Sequence, residues 1–161
     1  MSLMLLSGCG ADVQAPKAAL ELTGRVVDEA HLIDPELERQ LTARLVRLQQ
    51  ETGAQMVIAT TASLGGEDID AYSLTLANAW RVGSKERNDG LLLLVAPSER
   101  KVRIEVGYGL EMVMTNALCA DIIRRSIVPR FRNGDVRGGI VAGTDAIVAV
   151  MTKPQTQRKA A

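Results

Sequence analysis

Gly90-Leu91-Leu92-Leu93-Leu94-Val95-Ala96, followed after Pro97-Ser98-Glu99 by Lys101-Val102-Arg103-Ile104-Glu105-Val106, is the stretch from which the fold can be read. The first run has no polar side chain, the mark of a strand buried on both faces. The second alternates strictly, the mark of a strand buried on one face. So short a connection makes an antiparallel hairpin and puts the alternating member near a sheet edge. Gly107-Tyr108-Gly109 then turns the chain.

Upstream, Thr23-Gly24-Arg25-Val26-Val27-Asp28 is a short strand ending on an acid. Asp34-Pro35-Glu36 opens a helix with a capping carboxylate, a proline at the first helical position and an acid at the positive end of the dipole. Leu37, Leu41, Leu45 and Leu48 share one face of it, and Gly53 is the expected stop. Ala54 to Thr61 reads as an interior strand. Glu67 to Val82 is a second helix with Ile69, Tyr72, Leu76 and Trp80 on one stripe and Gly83 as terminator, so Trp80 belongs to the core.

Downstream, a helix is expected from the cap Thr115 through Leu118, Ile122 and Ile123 to about Val128, with Pro129 ending it. The last helix carries Val136, Ile140, Ile147 and Val150. Its Gly138, Gly139 and Gly143 lower helix propensity and imply close backbone contact. The expected fold class is α/β with a mixed sheet, in the order β-α-β-α-β-β-α-α.

The bulk numbers exclude several functions. With 161 residues, 47% hydrophobic and 24% charged, the chain can fill one domain core. Nineteen basic residues balance nineteen acidic ones, so no nucleic acid partner is expected. Trp80, Tyr72, Tyr108 and Phe131 are the whole aromatic set, which leaves few stacking platforms. Cys119 reads as a small buried apolar side chain rather than half of a disulfide with Cys9.

Leu5-Leu6-Ser7-Gly8-Cys9 is similar to a bacterial lipobox, in which the cysteine is lipidated once the signal is cut. Residues 1–21 are therefore expected to be a truncated lipoprotein signal and tether, with Cys9 the lipidation site, 22–152 the domain, and 153–161 a polar tail. The expected location is the bacterial cell envelope, on the periplasmic side of the membrane. Attachment there is through a lipid anchor only, and the chain as it stands should be soluble. The most apolar later run, Gly138 to Met151, contains Asp145 and is too short to span a bilayer.

A single histidine, His31, removes metal sites that need several imidazoles. No P-loop is present, and Gly107-Tyr108-Gly109 lacks the third glycine of a dinucleotide fingerprint. Oxygen chemistry remains. Asp28 ends a buried strand, where open α/β sheets collect ligands, and Asn88-Asp89-Gly90 offers oxygens in a tight turn. Such oxygens favour a hard cation such as Ca²⁺. Asp89 and the segment Glu105 to Glu111 share one edge of the sheet. Asp28 joins them if its strand is antiparallel to Leu91–Val95 and lies at the opposite end if parallel.

Val26-Val27-Asp28-Glu29-Ala30, Trp80-Arg81-Val82-Gly83, Asn88-Asp89-Gly90 with its aliphatic run, Arg103-Ile104-Glu105-Val106-Gly107-Tyr108-Gly109-Leu110-Glu111 and Pro129-Arg130-Phe131-Arg132-Asn133-Gly134-Asp135 resemble successive blocks of TPM domains. The resemblance covers about residues 22 to 151. It implies a three-layer α/β/α sandwich facing an extracytoplasmic space, often tethered to a membrane. It also implies Ca²⁺ binding and, from plant relatives, acid phosphatase activity. Asp28 and Asp89 carry over as metal ligands, with Glu105 and Glu111 beside them. Where relatives commonly read Thr-Asp-Ala, this chain reads Thr115-Asn116-Ala117, one carboxylate fewer. The expected function is a tethered binding module, with Ca²⁺ as cofactor and a membrane-protein complex as partner. The alternative is a weak metal-dependent acid phosphatase.

Overall fold

The computed structural model describes residues 20–154. The expected lipidation site Cys9 and nearly all of the tether and the polar tail lie outside them. Four strands, β1 (Val26–Asp28), β2 (Gln55–Thr60), β3 (Gly90–Ala96) and β4 (Lys101–Val106), form one open sheet in the order β1-β2-β3-β4. The first three are parallel and β4 is antiparallel to β3, which makes β4 an edge strand as its alternation predicts.

Register explains why β3 needs an apolar residue at every position. Val26, Ile58, Leu93 and Ile104 form one row across the sheet, and Val27, Ala59, Leu94 and Arg103 form the next. Alternate rows face opposite sides. The first row joins a core with α1 (Pro35–Thr52) and the C-terminal helices, while Ala59 and Leu94 join a second core with α2 (Ile69–Trp80). Helices thus cover both faces of the sheet. β3 is wholly buried, and cutting one of its leucines to alanine costs about 2–5 kcal/mol.

α1 starts as its sequence dictates. Asp34 accepts the Leu37 N–H at 2.9 Å, Pro35 follows it, and Gly53 closes the helix in the left-handed region at φ 79. Leu41, Leu45 and Leu48 are buried on the sheet. α2 departs from expectation at its end. Arg81 adopts the left-handed conformation at φ 50 and terminates the helix two residues before Gly83. Trp80 packs against the second core and donates its Nε1–H to the Leu20 carbonyl at 3.1 Å.

The largest departure is at Pro129. The helical run does not stop there: α3 (Asn116–Ile122) passes into a five-residue π-helical stretch, Ile123–Ile127, and then into α4 (Val128–Arg132). A proline inside an α-helix removes a donor and clashes with the carbonyl four residues earlier. The wider π turn shifts that carbonyl, and Pro129 falls in the first turn of α4, where no N–H is required. Buried Ile127 anchors the π stretch, its side chain filling the place a Cβ on Gly143 of α5 (Val136–Met151) would occupy.

Candidate functional site

Parallel strands give the sheet two unlike ends, and the four carboxylates divide between them. Asp28 stands at the carboxyl end of β1 and Asp89 immediately before the amino end of β3, so the parallel case holds and the two do not share a site.

At the carboxyl end, Asp28 Oδ1 accepts the Leu32 N–H at 3.0 Å and the Thr60 hydroxyl at 2.5 Å, while Oδ2 accepts the Ile33 N–H at 2.7 Å. Thr60 in turn accepts the Ala30 N–H at 3.1 Å. This carboxylate folds the loop between β1 and α1 back onto the sheet. Beside it lies a hollow of about 620 Å³ lined by His31, Asp34, Asp135 and Arg137, in which Arg137 pairs with Asp34.

At the amino end, Asp89 accepts the Ser84 N–H at 2.7 Å and its hydroxyl at 2.9 Å, and Arg87 Nε sits 2.6 Å from its other oxygen. Burial pushes the Asp89 carboxyl up. The two Ser84 hydrogen bonds and the Arg87 guanidinium outweigh that and hold it below the usual carboxylate range. Glu105 is also engaged: it accepts from the Ser73 hydroxyl at 3.0 Å and from Arg103 Nε at 3.2 Å, stitching β4 to α2. Glu111 is exposed. Among the described residues, no three acidic, histidine or cysteine side chains converge to hold a metal ion.

Two loops build the surface around Glu111. Gly107 donates to the Gly90 carbonyl at 2.8 Å and Gly109 to the Asn88 carbonyl at 3.0 Å. The loops touch so closely that a Cβ on Gly107 would lie 2.2 Å from the Asn88 oxygen, and one on Gly109 1.8 Å from the Arg87 oxygen. Only glycine fits at either position. Between them, Tyr108 is 81% exposed. Met112, four residues on, is 92% exposed, and Leu74 on α2 is 51% exposed. Leu74, Tyr108, Glu105 and Glu111 surround a pocket of about 280 Å³ between α2 and the end of β4.

The TPM domain matches residues 26–150. The chain belongs to the TPM domain family. Among solved structures, this TPM domain is similar to the N-terminal domain of a Porphyromonas protein (P. gingivalis), with 33% identity over 80% of this chain and 82% of that one and a TM-score of 0.75. The N-terminal domain of cg2496 from Corynebacterium glutamicum shares the fold at 16% identity, covering 89% of this chain and 90% of that one, with a TM-score of 0.63. So does BA42 from Bizionia argentinensis, at 18% identity, 74% and 81% coverage and a TM-score of 0.62. No curated protein matches.

Sequence reading missed the partners of the carboxylates. Thr60 is an ordinary strand threonine and Ser84 an ordinary loop serine until the strands are aligned. Tyr108 was legible only as part of a turn, although its two flanking glycines were the available signal. Asn116 begins α3 beside its cap Thr115, whose hydroxyl accepts the Leu118 N–H at 3.2 Å, and is exposed on the first helical turn.

Proposed function

We propose that this TPM domain is an extracytoplasmic binding module that docks on a membrane-protein complex through the surface formed by Leu74, Tyr108 and Met112. The observation that carries the reading is the exposure of Tyr108, on a tight turn between two glycines, beside a pocket. Exposed apolar side chains grouped beside a pocket are the signature of a protein contact, and a rigid aromatic binds with little loss of side-chain freedom. Glu111 on the rim selects a partner carrying a basic side chain next to its apolar centre. Tethering through Cys9 would bring the module to the membrane. No described helix is long and apolar enough to cross one.

The expected Ca²⁺ site divides in two, because Asp28 and Asp89 stand at opposite ends of the sheet. At each, the cation would compete with hydrogen bonds already made. Thermal unfolding with Ca²⁺ or chelator, on Asp28→Asn and Asp89→Asn separately, assigns the ion to one end or to neither. A ligand at a hundred times its dissociation constant adds about 2.7 kcal/mol.

The docking reading is tested with a photo-crosslinking residue at position 108, and a control at Arg47 on α1, in envelope membranes. One membrane-protein adduct should form from position 108 alone. Excess unlabelled domain should abolish it, while excess Tyr108→Ala/Met112→Ser should not. Equal competition by both would overturn the reading. Phosphomonoester turnover that disappears in Asp28→Asn would replace it with the phosphatase alternative.

A further inference from the structure

The second feature lies at the other end of the sheet and is independent of Tyr108. A groove of about 660 Å³ runs between the β3–β4 turn and α4, within the range of small-ligand sites. Its apolar lining is Ala96, Val102, Val128, Phe131 and Val136, and its rim carries Arg100 and Arg132. We propose that this groove binds a single-chain amphipathic anion, the acid group held by Arg100 and Arg132 and the alkyl chain laid along Val102, Val128, Phe131 and Val136.

The two walls are fixed by local chemistry. On one side the turn closes through the Arg100 N–H to the Pro97 carbonyl at 3.1 Å, with Arg100 in the left-handed region at φ 55. On the other, the π stretch adds a residue before α4 and so rotates Val128, Phe131 and Arg132 to the positions where they line the groove. The Phe131 ring rests on the backbone of α5, where a Cβ on Gly139 would lie 2.3 Å from it.

Among the described residues, neither guanidinium is bound by the acids nearest to it in the chain: Glu99 Oε2 is buried without a partner and makes no contact with Arg100. Glu99, beside Arg100, accepts from the Leu64 N–H at 2.8 Å and the Ser63 hydroxyl at 3.1 Å. Asp135 caps α5 through the Gly138 N–H at 2.8 Å and pairs with Arg130 at 3.4 Å. Most arginines of this domain have an acidic partner, but neither Arg100 nor Arg132 has a side-chain partner among the described residues. Two free guanidiniums on the rim of an apolar groove fit an anion with an apolar body. Carboxylate and phosphate heads share that chemistry.

Calorimetric titration, below the micellar range, of hexanoate, octanoate, decanoate, decyl phosphate, decanol and inorganic phosphate tests the site. Affinity should rise about three- to fourfold per added methylene. The better of decanoate and decyl phosphate should exceed decanol and inorganic phosphate at least tenfold, and their ranking names the head group. Arg100→Gln and Arg132→Gln, both exposed positions, should each weaken binding about tenfold while circular dichroism stays unchanged. The absence of saturable binding, equal binding of decanol, inorganic phosphate as tight as decyl phosphate, or full affinity in the double variant would each overturn the proposal.

Discussion

The Thr60 hydroxyl donates to Asp28 Oδ1 at 2.5 Å across the last register pair of β1 and β2, and Thr60 accepts the Ala30 N–H on its other side. Strand end, loop and neighbouring strand are closed into one hydrogen-bonded cycle. Asp28→Asn keeps one acceptor oxygen and should cost about 1–2 kcal/mol in urea unfolding, whereas Asp28→Ala strands three donors and should cost about 3. Thr60→Val combined with Asp28→Ala should fall short of additivity by about 1 kcal/mol.

Asp89 sets the direction of a pH dependence. Its carboxyl is held below the usual range in the folded domain, against a value near 3.9 in an unfolded chain. Its contribution is therefore complete above the unfolded value and is lost as pH falls through the folded one. Asp89→Asn should be less stable than wild type at pH 6 to 7, and the gap should narrow below about pH 4 in denaturant titrations.

Gly109→Ala would place a methyl group 1.8 Å from the Arg87 carbonyl oxygen, backbone against backbone. A loss of about 2–4 kcal/mol is expected, with the loops parted and Tyr108 released. Chemical denaturation reads the first effect, and the intrinsic line width of the Tyr108 ring in NMR reads the second.

Cys119 is buried against the sheet, and its thiol points to the Met114 carbonyl at 3.8 Å. Burial raises its pKa, only partly countered by Arg103. Alkylating reagents at pH 8 should leave it unmodified in the native domain and modify it fully in urea, so the rate of labelling reports global opening.

What could be read in the sequence was whatever depends on neighbours along the chain. The cap Asp34, the leucine stripe of α1, the aliphatic β3 and the alternating β4 each carry their instruction within a few residues, and the structure has them as expected. Arg81 was harder, since a left-handed arginine has no local signature and Gly83 two residues on offered the cheaper stop. Pro129 misled because a π turn is set by what Ile127 and Phe131 pack against, Gly143 and Gly139, on a helix that comes later. The engagement of Asp28 and Asp89 depended on strand direction, which the local pattern left open.

Helix α5 runs alongside α1 in the same direction, as the pairs Arg137 with Asp34 and Asp145 with Arg44 require. It therefore finishes, at Met151, at the pole of the molecule where Trp80 holds Leu20. Both ends of the described chain emerge at that pole, and the Tyr108 surface lies there too. Whatever is joined to either end, by a tether or by fusion, is accommodated at that pole, away from Arg100 and Arg132 at the other. A tag or surface attached to either terminus would thus sit at the pole of Tyr108 and away from Arg100 and Arg132.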